Sequence, residues 1–146
     1  ARVGALEGDR IADLSEAAAT MADVIAPGGL DRARAALPGA PRHAAASARL
    51  LAPLRPGKVL CSGINYKAHA QENPKAVMPT EPFFFAKLPS SVVGPDVPVA
   101  RHPRVAQMDY EVEFAAVIGR PLHQAAEAEV MPAIFGYTLL NDLSAR

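Results

Sequence analysis

Glu111 and Glu113 stand one residue apart in the segment Met108-Asp109-Tyr110-Glu111-Val112-Glu113-Phe114-Ala115-Ala116-Val117-Ile118-Gly119. Val112, Phe114, Val117 and Ile118 favour a strand, in which residues i and i+2 share a face. Both carboxylates then point the same way, from a segment whose apolar continuation is expected to be buried. Neighbouring carboxylates removed from water repel each other, so such a pair either shares a proton or holds a cation. A hard divalent ion, which takes oxygen ligands, is the simpler solution. The plain alternative is a strand with two glutamates on a solvated face. Asp142 follows Tyr137-Thr138-Leu139-Leu140, at the end of another apolar run. Strand ends commonly present side chains to a cleft. Asp142 would complete a three-carboxylate set suited to magnesium or manganese, with positions left for water or substrate oxygens. It suits equally well a turn or a cap after Asn141.

His69 and Glu72 have the spacing that places two side chains on one face of a helical turn. A carboxylate beside an imidazole raises its basicity and fixes its orientation, as activation of a water requires. A solvated surface pair has the same spacing. Lys87 and Arg146 are candidates to hold an anionic group, Arg146 by a bidentate grip on a carboxylate. His43, His102 and His123 lie in proline-rich or polar settings and carry no assignment.

The elements that must position these residues are short. The 146 residues suffice for one domain with a real core, and half of them are hydrophobic. Fifteen basic and fifteen acidic side chains cancel, which gives no sign of a nucleic-acid or anionic-membrane partner. No apolar stretch is as long as a membrane span. The amino terminus lacks the regions of a secretory signal and an initiator methionine, the latter pointing to processing or missing residues. One cysteine, Cys61, among apolar neighbours, reads as a small buried side chain in a reducing, cytoplasmic setting.

Residues 1–14 predict a hairpin turning at Gly8-Asp9, and the alanine-rich stretch 16–36 predicts helix interrupted at Pro27-Gly28-Gly29. Asp13 and Asp23 are read as capping or solvated, and residues 37–49 as a linker. A small amino-terminal domain over 1–49 thus precedes a second body over 50–146. That body has strands at 58–65, Phe83-Phe84-Phe85 (expected buried), the glutamate segment and 134–140, with a helix over 124–132. Fourteen prolines between short strands favour a β-rich mixed α+β fold.

Four segments then form a pattern. Gly63-Ile64-Asn65-Tyr66-Lys67-Ala68-His69-Ala70-Gln71-Glu72 resembles the G-x-N-Y-x-x-H-x-x-E signature of the fumarylacetoacetate hydrolase family. Pro82-Phe83-Phe84-Phe85-Ala86-Lys87 resembles its P-x-x-F-x-K strand. Asp109-Tyr110-Glu111-Val112-Glu113 with Val117-Ile118-Gly119 resembles D-Y-E-x-E…V-I-G. Gly136-Tyr137-Thr138 and Asn141-Asp142-Leu143-Ser144-Ala145-Arg146 resemble G-Y-T…N-D-x-S-A-R. The likeness covers roughly residues 50–146, and the opening hairpin resembles the small amino-terminal domain of bacterial members.

The resemblance implies a mixed β-sheet roll and a dimer. It makes Glu111, Glu113 and Asp142 the Mg2+ or Mn2+ ligands and His69 with Glu72 the water-activating dyad, on a lid segment. Lys87 and Arg146 would lie near a bound 2-oxo acid. Family chemistry includes hydrolytic C–C cleavage of acylpyruvates and related β-diketones, decarboxylation and isomerisation. The expected activity is a metal-dependent C–C hydrolase giving a carboxylic acid and pyruvate. The alternatives are a decarboxylase or isomerase with the same metal site, or a non-catalytic metal- or partner-binding fragment. Family members continue past the position of Arg146, so the chain is expected to be the front half of a longer enzyme.

Overall fold

The computed structural model describes residues 1–72, 77 and 79–146. Contacts divide the chain into two units, one of residues 1–49 with 98–146 and one of residues 50–97.

In the first unit, β1 (Gly4–Glu7) and β2 (Arg10–Asp13) form an antiparallel hairpin with Ala5 opposite Ala12 and Leu6 opposite Ile11. Its two-residue turn begins at Gly8, φ 63°, a left-handed conformation that glycine adopts without a Cβ clash. Asp13 ends the ladder opposite Gly4. Its carboxylate accepts from the Ser15 amide at 3.0 Å and the Ser15 hydroxyl at 2.6 Å, and there the chain turns away from the sheet.

Helix α1 (Met21–Ile25) starts at Thr20, whose hydroxyl accepts from the Asp23 amide while Asp23 accepts from the Thr20 amide, a reciprocal cap. Pro27-Gly28 ends it, and α2 (Gly29–Ala36) follows at once. Asp23 therefore caps, and Asp13 anchors a turn.

Residues 37–49 do more than link. β3 (Arg42–Ala44) pairs with β2, His43 opposite Ile11, and completes a three-stranded sheet. Arg42 secures it by bonding Glu7 at 3.2 Å and the Ala40 carbonyl at 2.6 Å. A short edge strand held by its ladder and one arginine needs no apolar alternation, so its composition resembles a linker. Val3, Leu14, Ala18, Val24 and Ala33 make the core of this unit, with Phe135 packed against it.

Phe135 belongs to β8 (Ile134–Asn141), which pairs antiparallel with β7 (Val112–Ile118), placing Glu113 opposite Leu140 and Phe114 opposite Leu139. Beside them β6 (Met108–Asp109) pairs with β9 (Ser144–Ala145). The expected helix over 124–132 is reduced to α4 (Glu127–Val130) and a tight turn over Met131–Ala133. At its start Gln124 is left-handed (φ 48°) and Ala126 extended, and at its end Pro132 lacks the amide a longer helix needs. The β7 run is not buried throughout. Glu113, Ala115 and Val117 face partly inward, whereas Phe114 is 62% and Leu139 70% exposed.

In the second unit, β4 (Val59–Gly63) pairs antiparallel with β5 (Phe83–Lys87), and Cys61 is half-buried. The phenylalanine run forms the expected strand but is not buried, Phe84 being 66% exposed. Gly63 lies against the Phe83 ring, where a Cβ would stand 2.0 Å from Cζ, so a side chain here would push the half-exposed ring aside. Ile64 follows at φ 46°, a sterically costly conformation for a β-branched residue. The chain then enters α3 (Lys67–Glu72).

Candidate metal and oxo-acid site

Two of the three carboxylate residues, Glu111 and Asp142, lie side by side at a corner just past the β7–β8 ladder of the first unit, with Glu113 two residues along β7. Beyond the β7–β8 ladder the Asp142 amide donates to the Glu111 carbonyl at 2.8 Å, and the Asn141 side-chain oxygen accepts from the Glu111 amide at 3.2 Å. These bonds carry the strand register past Val112 and bring residues from two distant segments side by side. Alternation along both chains assigns Glu111, Glu113 and Asp142 to the less exposed side. Asp142 is 5% exposed and is the buried polar side chain among the described residues. The Ser144 hydroxyl bonds its carbonyl at 3.3 Å, fixing the turn into β9.

Arg146 closes the corner. Its amide donates to the Gln107 carbonyl at 3.0 Å. Its guanidinium Nε donates to Asp109 Oδ2 at 3.1 Å, and Nη2 donates to Glu111 Oε1. The hydrogen bond to Asp109 foremost, with help from the Glu111 charge, raises the Arg146 pKa above its ordinary value against the opposing effect of burial. The arginine is thus cationic at any working pH.

Hard oxygen donors on one side of a strand pair, one of them buried, fit a magnesium or manganese ion chemically. Among the described residues no three His, Cys, Asp or Glu side chains are arranged to hold an ion as they stand. Arg146 occupies one oxygen of Glu111.

The remaining candidates lie in the second unit. His69 and Glu72 are on α3, and their side chains lie outside the described residues. Lys87 ends β5 with its ammonium 5.7 Å from the Phe85 ring centroid, within reach of the ring's negative face. A hollow of about 250 Å³ opens beside the β4–α3 turn, lined by Ser62, Asn65, Thr80 and Glu81 among others. A larger one, about 450 Å³, is bordered by Arg2, Asp13, Ser15 and Glu16, side chains of the hairpin and the turn that follows it.

Two residues of the corner carry no assignment from the sequence. Asp109 holds Arg146, and Asn141 holds the Glu111 backbone. Their signal was adjacency, since each stands beside a proposed ligand or within its motif.

The fold and this corner define a class. Residues 58–146 match the family described as fumarylacetoacetate (FAA) hydrolase, C-terminal, and the chain belongs to that family. It is 42% identical over 113 residues to human oxaloacetate tautomerase FAHD2A, mitochondrial, a match covering 77% of this chain and 35% of that protein. The maleylpyruvate hydrolase of Sphingobium sp. SYK-6, solved with manganese(II) and pyruvate, superposes with a TM-score of 0.83 at 28% identity. That superposition covers 99% of this chain and 56% of that one. The 2-hydroxyhepta-2,4-diene-1,7-dioate isomerase of Mycobacterium marinum gives a TM-score of 0.62 at 37% identity, covering 73% and 38% of the two chains. The chain therefore spans about a third of the curated relative and about half of the solved hydrolase. The strand-rich mixed α+β architecture is that of these structures. No helix among the described residues is long and apolar enough to cross a membrane.

Proposed function

We propose that this chain carries the cation-binding part, and the candidate base, of a divalent-metal-dependent hydrolase. The reaction would cleave a C–C bond in an acylpyruvate- or fumarylacetoacetate-like 2-oxo acid. The observation that carries this reading is the backbone-locked corner of Glu111, Asn141 and Asp142, set in a chain that belongs to the family. A manganese- and pyruvate-bound relative of the same fold supports the cofactor and substrate class.

Glu111, Glu113 and Asp142 would hold Mg2+ or Mn2+, which supplies Lewis acidity toward the substrate's oxygens. Lys87 and Arg146 would hold the carboxylate of the oxo acid, Arg146 through its paired N–H groups. His69 would take a proton from water at an imidazole nitrogen, with the Glu72 carboxylate orienting the ring. Addition of that hydroxide to the distal carbonyl and breakage of the adjoining C–C bond yields a carboxylic acid and pyruvate once a proton returns to carbon. A homodimer and a cytoplasmic setting belong to this reading. The mitochondrial address is that of the FAHD2A relative.

A second reading has a specific support. The oxaloacetate tautomerase and diene-dioate isomerase relatives are named for reactions that move a proton between carbon and oxygen or between carbons, with no water added. The two separate in one assay. Wild-type protein with Mg2+ is given an acylpyruvate, and its enol absorbance and the released pyruvate are followed. Stoichiometric pyruvate that disappears in His69→Ala supports hydrolysis. Enol–keto interconversion of oxaloacetate without cleavage of any acylpyruvate selects the isomerase. Neither reaction, in folded protein, selects the non-catalytic fragment.

A further inference from the structure

Arg146 contacts the proposed ligand set in a way that the substrate-binding assignment does not explain. The β6–β9 register sets Asp109 opposite Ser144 and Met108 opposite Ala145, and the Arg146 amide is fixed on the Gln107 carbonyl. From there the guanidinium is divided between two carboxylates, Asp109 through Nε and Glu111 through Nη2. The two acids are not equivalent. Glu111 is joined to Asp142 through the backbone, whereas Asp109 lies outside the proposed ligand set. A divalent ion on Glu111 would share that carboxylate with a fixed positive charge, and like charges so close together repel strongly even near a protein surface. Asp109 already holds Nε, so the guanidinium keeps one carboxylate partner when Glu111 is taken.

The geometry points to Arg146 as the resident counter-ion of Glu111, released from it and held by Asp109 alone when a divalent cation binds. Displacement exposes one N–H edge of the guanidinium, and that edge takes the carboxylate of the oxo acid. Cation binding thus comes first and creates the anion grip, and the two are coupled reciprocally. This rests on the reading of Glu111, Glu113 and Asp142 as the cation site.

Two measurements test it on the whole chain. The first is calorimetric titration with Mn2+ alone of wild type, Arg146→Gln and Glu113→Gln, each checked for folding by circular dichroism. Removing the competing charge is expected to tighten Mn2+ binding by about tenfold. Weaker or unchanged binding in Arg146→Gln overturns the proposal and makes the arginine an orienting group for Glu111. Wild-type affinity in Glu113→Gln removes the cation site itself, and the proposal with it. The second uses wild-type protein only, so it stands even where Arg146→Gln does not fold. Phenylglyoxal modification of Arg146, read by peptide mass spectrometry, is expected to accelerate on addition of Mg2+ as the Glu111 contact opens. Protection or no change in rate overturns displacement.

Discussion

The amino-terminal hairpin and helices and the β7–β8 pair treat apolar residues in opposite ways. The first region turns Val3, Leu14, Ala18, Val24 and Ala33 inward and keeps its charges for turns and caps. The second leaves Phe114 and Tyr137 stacked on its outer face, rings 5.0 Å apart and 17° from parallel, beside exposed Leu139. Its inner side carries the acids. One region holds the buried core of the unit, with Phe135 of β8 packed against it, and has no chemistry assigned to it. The other has candidate chemistry and an exposed apolar face.

Stability and function are therefore separable along this chain, and mutation can test the separation. The largest effect is expected from Leu14→Ala in the buried core, a loss of about 3 kcal/mol in urea denaturation. A loss under about 1 kcal/mol would mean that this region does not carry the stability of the first unit.

A smaller effect concerns acid. The Ser15 hydroxyl foremost, then the Ser15 amide and the Arg2 and His43 charges, hold the Asp13 pKa below its ordinary value, against a partial opposing effect of burial. Its contribution is therefore complete above the ordinary carboxylate pKa of about 3.9 and is lost as pH falls through the lower folded value. Asp13→Asn should flatten the acid limb of stability against pH below about 4. An unchanged acid limb would show that Asp13 does not govern it.

The smallest effect on stability is expected at the open face. Phe114→Ser should change unfolding free energy in urea by about 0.5 kcal/mol or less. A loss of several kcal/mol would show that this face is covered and would erase the contrast.

Much of this was legible from residue order. The Gly8-Asp9 turn follows from local chemistry and appears where its residues put it. The helix break falls at Ala26-Pro27-Gly28 with Gly29 already in α2, and the last strand, expected over 134–140, runs one residue further to Asn141. The alternation that sets Glu111 and Glu113 on one side was also readable, because strand periodicity is local. What escaped depends on distant partners. β3 shows as a strand only because β2 lies beside it. An apolar run such as Phe83-Phe84-Phe85 does not say which of its faces another layer covers. The Arg146 bond to Glu111 spans 35 positions, so Arg146 read as a substrate group and not as a partner of the proposed ligand.

Both proposals stand on the Glu111–Asp142 corner being a divalent-cation site. The most direct test compares Mn2+ titration of the folded wild-type chain with that of Glu113→Gln. One site in wild type, lost in the variant, is the predicted result. Equal affinity in the two, or no binding by folded wild type, would contradict it.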